Sequence, residues 1–196
     1  MKAGDLKKAK RDVRRRVLAV RDALPAAERE RRGAAIAERF LALPEVAAAQ
    51  TVLGFWAFGS EVATRPLLEA LHGRGVRIVL PAIVQGDLEL RVWEPGAALV
   101  GTAIGAMEPA GGAVVPPIEV DVVCTPAVAF DRLGARVGYG GGYYDRLFLR
   151  TRADTLRAGI AFALQVLRDE LPRGHFDQRV DAVVTEDGTI GCERAR

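Results

Sequence analysis

TVLGFWAF, residues 51–58, is where the hydrophobic period of the chain changes. This run of apolar, β-branched and aromatic residues has no polar face, which predicts a strand buried on both sides. Upstream the period is helical. Over residues 5–24, Leu6, Ala9, Val13, Val17 and Val20 recur every three or four positions, predicting an amphipathic helix ended by Pro25. A second helix is predicted over 26–41, with Ile36 and Phe40 on one face and a stop at Leu43-Pro44. Downstream, residues 64–72 read as a helix ended by Gly73, and 76–80 as a strand halted by Pro81. Residues 88–93 alternate as a more exposed strand, and 119–125 (EVDVVCT) form another buried one. The Gly-, Ala- and Pro-rich stretch 94–117 is expected to be largely loop, and 126–137 an irregular connection. Helical character at 143–150 and strands at 157–161 and 182–185 complete the pattern. Strands alternating with helices predict the α/β class: a mostly parallel sheet flanked by helices, Rossmann-like and three-layered, with an N-terminal helical extension. With 196 residues and neither an internal repeat nor a linker, a single domain over 1–196 is expected.

A hydrophobic fraction of 49% suffices for a large core, while the apolar runs are too short to span a bilayer. The charged N-terminus lacks the apolar segment of a secretory signal, so a cytoplasmic protein with no membrane partner is expected. Cys124 and Cys192 lack the spacing of a zinc site or a disulfide framework and read as packing residues. The net charge of +3 is uneven, with Lys7, Lys8, Lys10, Arg11, Arg14, Arg15 and Arg16 crowding the start. A solvated helical face and an arm for a polyanionic small ligand both fit. Nucleic acid fits poorly, because no aromatic side chains are interleaved for base stacking.

GYGGGYYDR, residues 138–146, concentrates the chemistry. Gly138, Gly140, Gly141 and Gly142 admit positive φ and close backbone approach, and Tyr143, Tyr144, Asp145 and Arg146 then enter a helix. Backbone N–H groups of this kind suit a phosphate. Arg136 and Arg146 would neutralise its charge, Asp145 would hold a magnesium ion bridging its oxygens, and the paired tyrosines would sandwich a flat heterocycle. The stretch is neither a Walker A loop nor a dinucleotide fingerprint. A tight turn packing loop against helix accounts for the glycines at least as well. The adjacent tyrosines, acid and arginines exceed what such a turn requires.

The longer segment FDRLGARVGYGGGYYDR, residues 130–146, closely resembles the signature of the 5-formyltetrahydrofolate cyclo-ligases, also called methenyltetrahydrofolate synthetases. The resemblance extends along the chain in order. It includes KRDVR with Lys10 and Arg14, Glu61-Val62 with Thr64, Val79-Leu80-Pro81, Glu108-Pro109, and Ala129-Phe130-Asp131. Gln165, Pro172, Asp177 and residues 181–186 resemble the closing pattern. Three positions depart from it: Val137 replaces a leucine, Ala63 stands where the family has an acid, and Phe176 separates His175 from Asp177.

The resemblance implies conversion of 5-formyltetrahydrofolate with ATP to 5,10-methenyltetrahydrofolate, ADP and phosphate. The formyl oxygen would be phosphorylated, N10 would attack, and phosphate would leave. It assigns Lys10, Arg14 and Arg136 to the transferring phosphate, and these with Gly138, Tyr139, Gly140, Gly141, Gly142, Tyr143 and Tyr144 to ATP. Asp145 and Asp177 become the Mg2+ ligands, and Phe58, Glu61, Tyr139 and Tyr143 the folate contacts. It also implies that residues 1–49 pack on the ATP site. A monomer or weak dimer is expected, and His72 and His175 have no catalytic duty. Ordinary alternatives stand beside these roles: surface charge for Lys10 and Arg14, a turn cap for Asp177, core packing for Phe58. A member of the family that binds nucleotide or folate without catalysis is the rival to the enzyme, and a nucleic-acid module built on the basic arm is a second.

Overall fold

The computed structural model of the chain describes residues 3–102 and 105–192. Three helices come first: α1 (Ala3–Asp22), α2 (Ala26–Leu41) and α3 (Pro44–Ala47). Prolines set the breaks. Pro25 stands at the N-cap of α2, and Leu43, extended at φ −63° and ψ 132° before Pro44, caps α3. Then follow β1 (Thr51–Leu53), α4 (Arg65–Gly73), β2 (Arg77–Val84), β3 (Asp87–Trp93), β4 (Leu99–Gly101), β5 (Met107–Pro109) and β6 (Val114–Val115). The C-terminal half carries β7 (Val122–Thr125), β8 (Ala129–Asp131), β9 (Arg136–Val137), α5 (Tyr143–Phe148), β10 (Leu156–Ile160), β11 (Val166–Leu167), β12 (Ala182–Val184) and β13 (Thr189–Gly191).

The main sheet has the order β13-β12-β10-β7-β1-β2-β3-β6. Its five central strands pair in parallel, with Val52 opposite both Ile78 and Val122, and Ala158 opposite both Cys124 and Ala182. Antiparallel strands close the edges: β13 on one side, β3 and β6 on the other. Alternation along the strands sorts the core into two layers. Val52, Ile78, Leu80, Val122 and Cys124 pack with Ile36, Phe40, Leu67 and Leu71 of α2 and α4. Leu53, Val79, Val123 and Val183 pack with Leu147 and Phe148 of α5. Among the described residues no helix is long and apolar enough to cross a membrane.

Three sequence expectations need correction. The run 51–58 is strand only through Leu53, because the chain then bends away after Gly54 donates to the Val79 carbonyl at 2.9 Å. Pro81 does not halt β2, which continues to Val84. β1 has already ended opposite Val79, so Pro81, paired with Leu90 of β3, lacks its N–H on a flank where, among the described residues, no strand is paired at that position. Residues 94–117 and 126–137 are less irregular than their composition suggests, since β4 and β5 form a ladder, β6 pairs with β3, and β8 joins β9 and β11 in a small second sheet. These two- and three-residue strands are too short to show a period of their own and are held by their pairing partners, near in the hairpins β4–β5 and β8–β9 and distant for β6 and β11. Residues 103 and 104 of that expected loop lie outside the described residues.

β1 occupies the middle of the sheet, with β2 on one side and β7 on the other. The chain therefore leaves the carboxyl ends of β1 and β7 in opposite directions, and a crevice opens between them.

Candidate functional site

Three segments meet at that crevice: the inner face of α1, the β1–α4 connection, and the glycine-rich loop between β9 and α5. On α1 the spacings from Lys10 to Arg14 to Val17 to Arg21 are four, three and four, which puts these residues on one face. Val17 is the apolar anchor, packed among Val128, Ala129, Ala135, Val137 and Leu171. Burying it turns the three cations on the same face inward. Arg14 Nε donates to the Gly138 carbonyl at 2.6 Å, and burial lowers the guanidinium from its usual pKa. Lys10 pairs with Asp177, whose carboxylate also accepts the Gly174 N–H at 2.6 Å. Asp177 thus both braces a turn and holds a cation. Arg21, 3% exposed, donates from Nε to Ser60 Oγ at 2.8 Å and from Nη2 to the Tyr139 hydroxyl at 3.1 Å.

The β1–α4 connection is pinned by Thr64, whose hydroxyl donates to the Phe55 carbonyl at 2.6 Å and accepts the Ala57 N–H at 3.0 Å. Beyond that clamp, Glu61 accepts the Phe58 N–H at 3.1 Å and the Tyr139 hydroxyl at 3.0 Å. Burial pushes the Glu61 carboxyl above its ordinary pKa; the Phe58 N–H, Arg21 and Tyr139 oppose the shift. Phe58 is half-buried, its ring centroid 5.2 Å from that of Tyr139. The two residues assigned to folate therefore share a wall with the loop assigned to ATP.

The loop itself needs glycine at two points: Gly140 has φ 110° and Gly142 φ 67°, both in the left-handed region. At its base Arg136, with 6% of its side chain exposed, donates to Asp145 Oδ1 at 2.7 Å and lies over the rings of Tyr144 and Phe148. Burial lowers the Arg136 pKa and Asp145 counters it. Asp145 Oδ1 also accepts the Gln178 N–H at 3.0 Å, which brings the neighbouring Asp177 to the same corner.

Two expectations about this loop fail. Tyr143 and Tyr144 do not sandwich anything between them. Consecutive helical residues point about 100° apart, and here Tyr144 packs edge-on against Phe148 while Tyr143 lies under the Arg146 guanidinium. Arg146, expected with Arg136 to neutralise a phosphate, instead donates to the carbonyls of Gly141 and Gly86 and approaches Asp87. His175 stacks edge-on with the exposed Phe176, and His72 is exposed at the end of α4.

Among the described residues no group of three or more His, Cys, Asp or Glu side chains converges as a metal cage. Asp145 and Asp177 are each paired with a cation. Such a donor set suits a magnesium ion carried chiefly by phosphate oxygens and water. Among the described residues Arg136 Nε is buried without a partner, and an unsatisfied cationic donor at the base of the glycine-rich loop suits a polyanion such as ATP. Arg21 and Ser60 are the residues that sequence reasoning missed. The signal for Arg21 was present, since it continues the face of Lys10, Arg14 and Val17; nothing local marks Ser60.

The chain matches the model of the 5-formyltetrahydrofolate cyclo-ligase family over residues 6–186. It is 35% identical to the 5-formyltetrahydrofolate cyclo-ligase of Escherichia coli (strain K12) over 171 residues, covering 84% of this chain and 93% of the other. It is 32% identical to the enzyme of the same name from Mycolicibacterium smegmatis over 192 residues, covering 91% and 94% of the two chains. The solved structure of Aquifex aeolicus 5,10-methenyltetrahydrofolate synthetase superposes with a TM-score of 0.83 at 34% identity, covering 95% of this chain and 94% of that one.

Proposed function

The chain belongs to the 5-formyltetrahydrofolate cyclo-ligase family, and on that premise we propose that it converts 5-formyltetrahydrofolate and ATP to 5,10-methenyltetrahydrofolate, ADP and phosphate. The observation that carries this reading is the convergence of α1 on the glycine-rich loop. Arg14 meets Gly138 and Arg21 meets Tyr139, beside Phe58 and Glu61. A cationic trough and an aromatic, carboxylate-bearing wall then share one crevice, as a reaction between a nucleotide and a folate requires.

ATP with magnesium supplies a transferable phosphoryl group that turns the formyl oxygen into a leaving group. The protein's share is placement and charge neutralisation. Lys10, Arg14 and Arg136 would offset charge on the phosphates, with Asp145 and Asp177 the two acids available to the metal. Backbone groups of Gly138, Gly140, Gly141 and Gly142 would cradle the remaining oxygens. Phe58 would pack on the folate ring system, and Glu61 would accept from its N–H groups. Tyr139, bonded to Glu61, would touch both ligands, as would Tyr143; Tyr144 would act from behind by packing Arg136. Exclusion of water by this wall keeps the activated formyl group for N10.

The test follows the near-ultraviolet absorbance of methenyltetrahydrofolate while protein, 5-formyltetrahydrofolate, ATP and magnesium are omitted one at a time. Product should form only with all four present. Binding of both ligands without product would make the chain a non-catalytic member instead.

A further inference from the structure

Arg21 is given no role in the phosphate chemistry above, yet it is 3% exposed and its guanidinium joins α1 to Ser60 and to Tyr139 of the glycine-rich loop. A guanidinium only donates. Its bond to Tyr139 therefore makes the phenol oxygen the acceptor, and the single phenol proton is left to point at Glu61 Oε1, 3.0 Å away. Glu61 Oε2 already accepts the Phe58 N–H. Both carboxylate oxygens are thus committed as acceptors, and the ionised form of Glu61 is the one that fits. On the other side, Arg21 is fixed by Ser60, whose hydroxyl accepts from Nε and donates to Asp22. The remaining Nη1, buried and without a partner among the described residues, belongs to a residue lining a cavity of about 10 Å³ with Phe55, Glu61 and Gln165, room for about one water.

We propose that Arg21 is a positioning residue for the folate side of the reaction: through Tyr139 it orients Glu61 as an ionised acceptor and so sets the acid limit of folate binding. The proposal rests on the folate assignment of Glu61 given above. The groups facing Glu61 are Arg21 from α1, Tyr139 from the glycine-rich loop, the Phe58 N–H of its own connection and, at longer range, Tyr144 of α5. Burial opposes the Glu61 charge, and Arg21 is the only one of these groups that is a full cation. The sign follows. Folate affinity is lost as pH falls through the Glu61 pKa, and removing Arg21 raises that pKa, so the acid limb moves to higher pH.

The experiment is calorimetric titration of 5-formyltetrahydrofolate, and separately of ATP, into the full chain from pH 5 to 8. For Arg21→Met the expected result is a folate Kd raised about tenfold at pH 7, with the acid limb moved up by about one pH unit. The ATP Kd should stay within about twofold. Arg21→Lys keeps the charge but replaces the two nitrogens that reach Ser60 and Tyr139 separately with one ammonium, so its acid limb should stay near that of the wild type while folate Kd rises about threefold. Adding Tyr139→Phe to either variant should cost less than the sum of the single changes. An unmoved acid limb in Arg21→Met, or equal loss for both ligands, overturns the proposal. If Arg21→Met does not fold, an unchanged folate Kd in Arg21→Lys overturns it. Because binding is read without turnover, a wild-type chain that binds folate but makes no product sinks the proposed activity alone; failure to bind folate sinks both.

Discussion

Arg14 Nε lies 2.6 Å from the Gly138 carbonyl across 124 positions of sequence. The N-terminal helix thereby closes on a loop formed far along the chain, and the first prediction comes from that contact. Arg14→Ala should raise the KM for ATP about tenfold or more, the worth of a charge-assisted hydrogen bond. Folate KM should change little. Lys10→Ala should shift the same constant, since it frees Asp177 from its cation. Initial rates with each substrate varied in turn decide this, and a defect confined to folate would move α1 to the other ligand.

Asp145→Asn tests the base of the loop. It leaves the shape but takes the counter-charge from a guanidinium whose side chain is only 6% exposed. Stability should fall by about 1–3 kcal/mol, because a buried cation loses its partner. Turnover should fall about a hundredfold even with saturating magnesium. Denaturant unfolding and product absorbance measure the two effects. Turnover equal to that of the wild type would remove Asp145 from the site.

Gly141→Ala addresses the loop's shape. A Cβ there would stand 2.4 Å from Tyr143 Cε2, so the ring has to move. ATP KM should rise about tenfold while the thermal midpoint falls by only a few degrees. Gly73→Ala, where a Cβ meets nothing within 4 Å, serves as the comparison and should leave both kinetic constants unchanged.

The fourth prediction concerns pH and the outer helices. Hydrogen bonds from Arg31 and Arg32 draw the Glu28 carboxyl down to about 2, and Arg32 also bonds Glu186 beyond the end of β12. A depressed carboxyl stabilises the fold above its unfolded pKa and loses that contribution as pH falls through the folded value. The thermal midpoint of Glu28→Gln should therefore lie slightly below that of the wild type at pH 7, and the gap should narrow from pH 5 toward pH 2. A gap that widens on acidification would contradict the assignment.

The α/β class, the two long N-terminal helices and the glycine-rich loop were legible without coordinates. Each rests on local chemistry: the three-to-four period of α1, the proline breaks at Pro25 and Pro44, the dense glycines before Tyr143. The short strands β4, β5, β6, β8 and β9 were not legible, because their hydrogen bonds go to partners that the local pattern does not name. Pro81 misled for a related reason, since the missing N–H matters only if a neighbouring strand is there to accept it.

For the site, sequence alone determined which residue types are available: cations on one face of α1, glycines and two acids near the loop, an aromatic and a carboxylate after β1. It did not determine which of them meet. That Lys10 answers Asp177, that Arg136 rather than Arg146 answers Asp145, and that Tyr139 links Arg21 to Glu61 were decided only by the tertiary structure. The physical reason lies in the packing. Burying Val17 against the small sheet of β8 and β9 fixes the rotation of α1, and that rotation aims Arg14 and Arg21 at the glycine-rich loop and Lys10 at Asp177, none of which a local period connects to them.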